Sequence, residues 1–204
     1  MNGPILVALD GSQFSEAALP WALEFSRRFG VGLDVVSVAE PIPTLEYTEW
    51  NAEAQRWTED YVERVVSDCS GDAGGEITGA ALVGPAVGKI VERAAEIGAA
   101  VIVAATHGHG PLARAWLGSV ADGLIRPASV PVLLVRPREE DEEVVVELPD
   151  VEAILVSLDG TPDSEAALDH AAAAARAFDA DLHLVQVVTY PSEVASPYLP
   201  QTVA

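Results

Sequence analysis

A single cysteine, Cys69, denies this 204-residue chain any internal disulfide, so its stability rests on a packed core without covalent staples. Such sparing use fits a reducing compartment. Basic residues are scarce too: 11 stand against 32 acidic ones, the formal net charge is -21, and Lys89 is the one lysine. A field of that sign repels nucleic acid and anionic membrane, which excludes both as partners. Long apolar runs are also missing, since none approaches the roughly 18 residues of a membrane span. The amino-terminal stretch MNGPILVALDGS has no basic start and is interrupted by Asp10, so it is not read as a signal peptide. A soluble, cytoplasmic protein is expected.

What the chain does have is apolar residues, 50% of the total, in short runs spaced by helical patterns. Residues 4–10 (PILVALD), 32–41 (GLDVVSVAEP), 76–83 (EITGAALV), 99–106 (AAVIVAAT) and 130–137 (VPVLLVRP) read as buried strands. Residues 14–29, 48–69, 86–97 and a stretch from about 119 show helical spacing. Ser15 is the expected cap of the first helix, and Pro20 falls in its second turn, where it costs a hydrogen bond or a bend. Strands and helices in strict alternation imply an α/β fold, a doubly wound five-stranded parallel sheet of Rossmann-like type. The order expected for it is 3-2-1-4-5, which would make the ends of the first and fourth strands neighbours.

The chain also repeats itself. From Ile5 to Val38, 17 of 34 positions match the residue 149 places later, without a gap. Three parts are therefore expected: a domain over 1–137, an acidic linker over 138–150 containing the run EEDEE, and a partial second β-α-β repeat with a tail over 151–204. Residue 204 corresponds to residue 55 of the first copy, so the expected second repeat lacks its remaining three strands. Its two strands, AILVSLD and LHLVQVV, are too apolar to stand alone, and 130–137 should be an edge strand. A homodimer through 130–137, through residues 151–190, or through both is the expected assembly.

In a doubly wound sheet, ligands bind beyond the carboxyl ends of the strands where the order reverses. Two segments meet that description, Asp10-Gly11-Ser12 after the first strand and the loop 105–119 after the fourth. Gly108 can take positive φ and let an anion approach the backbone, and Gly118-Ser119 opens a helix whose free N–H groups favour phosphate. From spacing alone the bland reading stands beside it: Gly108 and Gly110 as turn residues, Ser119 with Asp122 as a capping box.

These residues resemble the universal stress protein family, whose nucleotide-binding members carry G-x-x-G-x(9)-G-[S/T]. Gly108, the nine residues 109–117 and Gly118-Ser119 fit that spacing, while Ala105 stands where the motif has its first glycine. The resemblance covers 4–137 as a domain and 151–190 as the start of another. It implies an ATP-binding regulatory protein of the stress response. Asp10, after Ala8 and Leu9, would meet the ribose side, and Val38 would line the adenine pocket. Ala104, Ala105, Thr106, His107 and Gly108 would wrap the phosphates, with Gly118, Ser119, Val120 and Ala121 completing the cradle. Arg114 either pairs with a phosphate or faces solvent. Mg²⁺ accompanying ATP would be met by Asp10. The alternative is a nucleotide-free dimerisation or interaction module of the same family.

No catalytic set or separate metal site emerges. Ser12 and Ser119 lack a nucleophile elbow, no P-loop lysine motif is present, and His107 and His109 have no carboxylate or cysteine nearby. The chain is not expected to be an enzyme beyond slow ATP hydrolysis. Trp21, Trp50 and Trp57 are expected to pack helix faces, and Cys69 to be inert.

Overall fold

The computed structural model describes residues 2–42, 48–106, 118–140, 143–145 and 150–188. The chain divides into two compact units, Met1–Asp150 and Val151–Ala204.

In the first unit the elements run β1 (Ile5–Ala8), α1 (Gln13–Glu16), α2 (Leu19–Phe29), β2 (Leu33–Ala39) and α3 (Thr48–Asp68). They continue as β3 (Ile77–Val83), α4 (Ala86–Glu96), β4 (Val101–Ala105), α5 (Ser119–Ile125) and β5 (Val132–Val135). The five strands form one parallel sheet of order β3-β2-β1-β4-β5. This is the doubly wound fold expected from the alternation of elements. Strand β1 is wholly buried because helices lie on both faces of it, which is why ILVA carries no polar residue. On one face Leu6, Ala8, Val36, Ile102 and Ala104 pack against Ile90 and Ala94 of α4 and Leu124 of α5. Helices α2 and α3 pack against β1, β2 and β3 and bury Phe25, Tyr61, Val62 and Val65. Helix α3 presses so close to β3 that a β-carbon on Gly79 would strike the Val62 and Val66 methyls.

Three local expectations change. The helix expected over 14–29 is two helices, because Pro20 cannot continue one and instead begins the next, in the first turn of α2. The cap of α1 is Ser12, whose side chain accepts the Ser15 amide; Ser15 is itself the donor. The acidic segment read as a linker contains two short paired strands, β6 (Arg138–Glu140) and β7 (Glu143–Val145).

One buried charge ties α4 to the sheet. The carboxylate of Asp34 on β2 lies in the sheet with 1% side-chain exposure and receives both guanidinium arms of Arg93 on α4, at 2.9 and 3.0 Å. Thr78 on β3 adds a hydroxyl donor at 2.6 Å. Arg93 also pairs with Glu96, and these partners, first the Asp34 carboxylate that accepts its hydrogen bonds, hold its guanidinium above its ordinary range. The site is satisfied only as a set.

The second unit contains β8 (Ala153–Leu158), α6 (Pro162–Glu165), α7 (Ala167–Phe178) and β9 (Asp181–Gln186). Its register, Ile154↔Leu182, is the register Ile5↔Leu33 carried 149 residues along. Helix α7 covers one face through Val156, Ala175 and Phe178. The left-handed residue that ends α7 is Asp179 (φ 55°), where the first repeat has Gly30 (φ 63°). On the other side of this sheet Leu155 is 68% exposed, and Val185 and Val187 are exposed with it. In the first unit the matching Leu6 and Val36 are fully buried under α4 and α5.

Arg93→Leu should lower the unfolding free energy by about 3 kcal/mol in urea titrations, because it strands a buried carboxylate. Replacing Asp34 and Arg93 together by leucine should cost less than replacing Arg93 alone.

Candidate functional site

The strand order reverses at β1, which pairs with β2 through Ala8↔Val36 and with β4 through Ala8↔Ala104. Chain leaving β1 therefore turns toward α1, while chain leaving β4 turns toward α5, and a crevice opens between them. The Leu9 amide makes one last ladder bond to Val36 O (2.9 Å), and Asp10 emerges exposed at the rim.

The turn after β1 is built from its own polar side chains. Asp10 Oδ1 accepts the Ser12 amide at 2.9 Å, Gly11 takes φ +80°, and the Asp10 amide donates to Ser15 Oγ at 3.1 Å. Aspartate and serine form such turns readily, and glycine alone meets the positive φ without strain. Asp10 thus has one oxygen committed to the fold, alongside whatever it does for a ligand. The second unit writes the same turn with Asp159, Gly160 (φ +85°), Thr161 and Ser164. There the Thr161 hydroxyl and amide hold the Asp159 carboxyl down to about 2.

Across the crevice, Ala105 ends β4 in extended strand, so its β-carbon meets no backbone strain at this departure from the family motif. The buried Thr106 donates its amide to Val135 O (2.8 Å) and accepts the Gly118 amide on its carbonyl (2.6 Å). That bond closes the stem of the loop 107–117. His107, Gly108, His109, Gly110, Arg114, Trp116 and Leu117 lie outside the described residues. Beyond the loop, Gly118 is the extended N-cap of α5 with no side-chain cap bond, and Ser119 is the first helical residue, so the alternative reading of Ser119 with Asp122 as a capping box does not hold. Ser119 is exposed, Val120 half-buried and Ala121 buried. Val38, half-buried near the end of β2, lies two residues past the β1 pairing, on the opposite side of β1 from Thr106. On that side Glu40 accepts the Ala86 amide at the start of α4 (2.7 Å).

Aromatic residues at this rim were not foreseen. Trp57 packs on its helix face only in part, being 51% exposed, and Trp50, also on α3, is 60% exposed. Trp57 stacks on Tyr61 with ring centroids 5.3 Å apart and planes 3° from parallel. The Tyr61 hydroxyl donates to Glu16 Oε1 (3.1 Å), and Arg64 sits over the Tyr61 ring. Burial first, then the Glu16 and Asp10 carboxylates, push the phenol well above its ordinary range. The signal was available: Trp57 and Tyr61 stand at i, i+4 on one helix, the spacing at which rings meet. Cys69 is buried, and burial raises its thiol, consistent with an inert role. Among the described residues no group of three or more His, Cys, Asp or Glu side chains is placed to hold a metal, and no helix is long and apolar enough to cross a membrane.

The model of the universal stress protein family matches residues 1–136 and 151–204. The chain belongs to that family. Universal stress protein Rv1996 of Mycobacterium tuberculosis is 28% identical over 183 residues, covering 80% of this chain and 56% of the relative. The chain thus spans about half the length of the curated relatives it matches. A universal stress protein of Archaeoglobus fulgidus superposes with TM-score 0.72 at 20% identity, over 94% of this chain and 68% of its own. A universal stress protein solved in complex with cAMP superposes with TM-score 0.51 at 23% identity, over 65% of this chain and 94% of its own.

Because Tyr61 is held protonated by the fold, its contribution to stability is complete below the ordinary phenol value of 10.0 and is lost as pH rises above it. Thermal melts should fall as pH is raised beyond about 10, and Tyr61→Phe should flatten that fall.

Proposed function

We propose that the first unit binds an adenine nucleotide, ATP in the first instance, at the β1/β4 crevice, and that binding serves regulation in the stress response. The observation that carries this reading is the switch point itself. Asp10, Thr106 and Gly118 converge there, at the edge of a sheet whose relatives include a protein solved with cAMP. The residues fit such a ligand. Asp10 stands exposed at the rim, Ala105 is on extended backbone, and the loop carrying Gly108 is pinned at its stem by Thr106 and Gly118. In this reading Asp10 meets the ribose and any Mg²⁺ that comes with ATP, Val38 lines the base pocket, and the loop amides hold phosphate. Local dipoles must do that work, since the net charge of -21 opposes an anion. No catalytic role is assigned; turnover beyond slow hydrolysis lies outside the proposal. A cytoplasmic setting goes with it.

Self-association is a second part of the reading, favoured by the exposed apolar side of β8 and β9. Leu155, Val185 and Val187 are exposed there. A second copy of the chain would cover them. Light scattering on the full chain should give twice the protomer mass, and Leu155→Asp with Val185→Asp should return it to one. A monomeric wild type removes this part.

Acid extraction of the purified protein should release adenine nucleotide. Gly108→Val should leave the fold intact by circular dichroism and weaken ATP binding about a hundredfold in calorimetry, the worth of losing two charge-assisted backbone bonds. Unchanged affinity would take the loop out of the site.

A further inference from the structure

The indole of Trp57 lies against the ligand-side turn, and the turn does not need it. A β-carbon on Gly11 would collide with Trp57 Cη2 and crowd Cζ2 and Cζ3, so the six-membered edge of the indole rests on the Gly11 backbone. Gly11 is the residue next to Asp10, and the Asp10 charge is felt at Tyr61, the ring beneath the indole. The pair of rings is therefore set beside the carboxylate that the functional reading places at the ribose.

Packing the turn would be the plain explanation of this contact, and the internal repeat argues against it. In the second unit the corresponding turn, Asp159-Gly160-Thr161 in place of Asp10-Gly11-Ser12, forms with a positive φ at its glycine and matching side-chain bonds. Among the described residues, Gln186 Nε2 alone lies within 4 Å of the place a Gly160 β-carbon would occupy. No ring is required to make the turn. Nor is Trp57 a core residue, since half of it stays exposed although its inner side is stacked on a buried Tyr61. A large apolar surface left in water at a ligand rim, on a ring held from behind, is the arrangement expected of a stacking or wall residue.

Resting on the nucleotide-binding reading, we infer that Trp57 is a recognition wall for the nucleoside part of the ligand. Its exposed indole packs on the base-and-ribose side next to Asp10, and the Tyr61–Glu16 hydrogen bond fixes the ring against which it leans. Glycine at position 11 is what lets the wall close on the turn. The wall contributes nothing to phosphate, which is held across the crevice.

Calorimetry on the full chain separates these roles. Trp57→Ala should weaken ATP and adenosine alike by about tenfold, the loss that removing one aromatic stacking partner brings. It should leave inorganic tripolyphosphate binding within twofold of wild type. Trp57→Phe, which keeps a ring, should restore most of the adenosine affinity. Thermal melts of each variant check that folding is preserved. Wild-type affinity for ATP and adenosine in Trp57→Ala overturns this inference while leaving the nucleotide site standing. So does a tripolyphosphate loss in proportion to the ATP loss, or a Trp57→Phe variant as weak as Trp57→Ala. A wild type that binds neither ATP nor adenosine overturns the nucleotide reading and the wall with it.

Discussion

Two neighbours for one strand is the constraint on which the rest of this structure depends. With β2 on one edge and β4 on the other, β1 has no free backbone, and with helices on both faces of the sheet it has no exposed side chain, so ILVA must be apolar throughout. The same pairing sends the chains that follow β1 and β4 apart. A crevice results wherever a sheet is wound both ways, and its walls are the residues just past the strand ends. Asp10 and Thr106 are functional candidates by position before they are by chemistry.

The internal repeat works as a natural control. Both copies fold their β-α-β start in one register and build the same aspartate turn, yet only the first has a described strand on the far edge of its β1-equivalent. The turn is thus local, set by the Asp-Gly-Ser/Thr sequence and its own hydrogen bonds. The crevice is not local. It appears where β4 joins, and with it come the buried Leu6 and Val36 whose counterparts Leu155 and Val185 remain in water. Local sequence supplies half of the site and tertiary pairing supplies the other half.

That division explains what could be read from the sequence. Apolar runs such as PILVALD and AAVIVAAT, alternating with helical spacing, marked all five strands of the main sheet, while their order in the sheet is a tertiary fact that no local run carries. Pro20 announced a break, although periodicity alone did not tell a bend from a new helix. The pairing of 138–140 with 143–145 was hidden because EEDEE has no apolar alternation to betray a strand. Trp57 was misread for a related reason. Helical spacing shows that a ring has a helix face, but not how much of it the sheet covers: α3 packs on β3 through Val62 and Val66 beside Gly79 and leaves Trp57 half exposed. The Asp34–Arg93–Thr78 set, spread over three elements, left no local pattern at all.

Amide hydrogen exchange with and without ATP tests the central claim most directly, because it reports where on the chain a ligand acts. Slowed exchange confined to peptides spanning residues 9–12 and 104–121, with 153–186 unchanged, is the predicted result. Protection in the second unit alone, or no change anywhere at saturating ATP, would contradict a nucleotide site at the β1/β4 crevice.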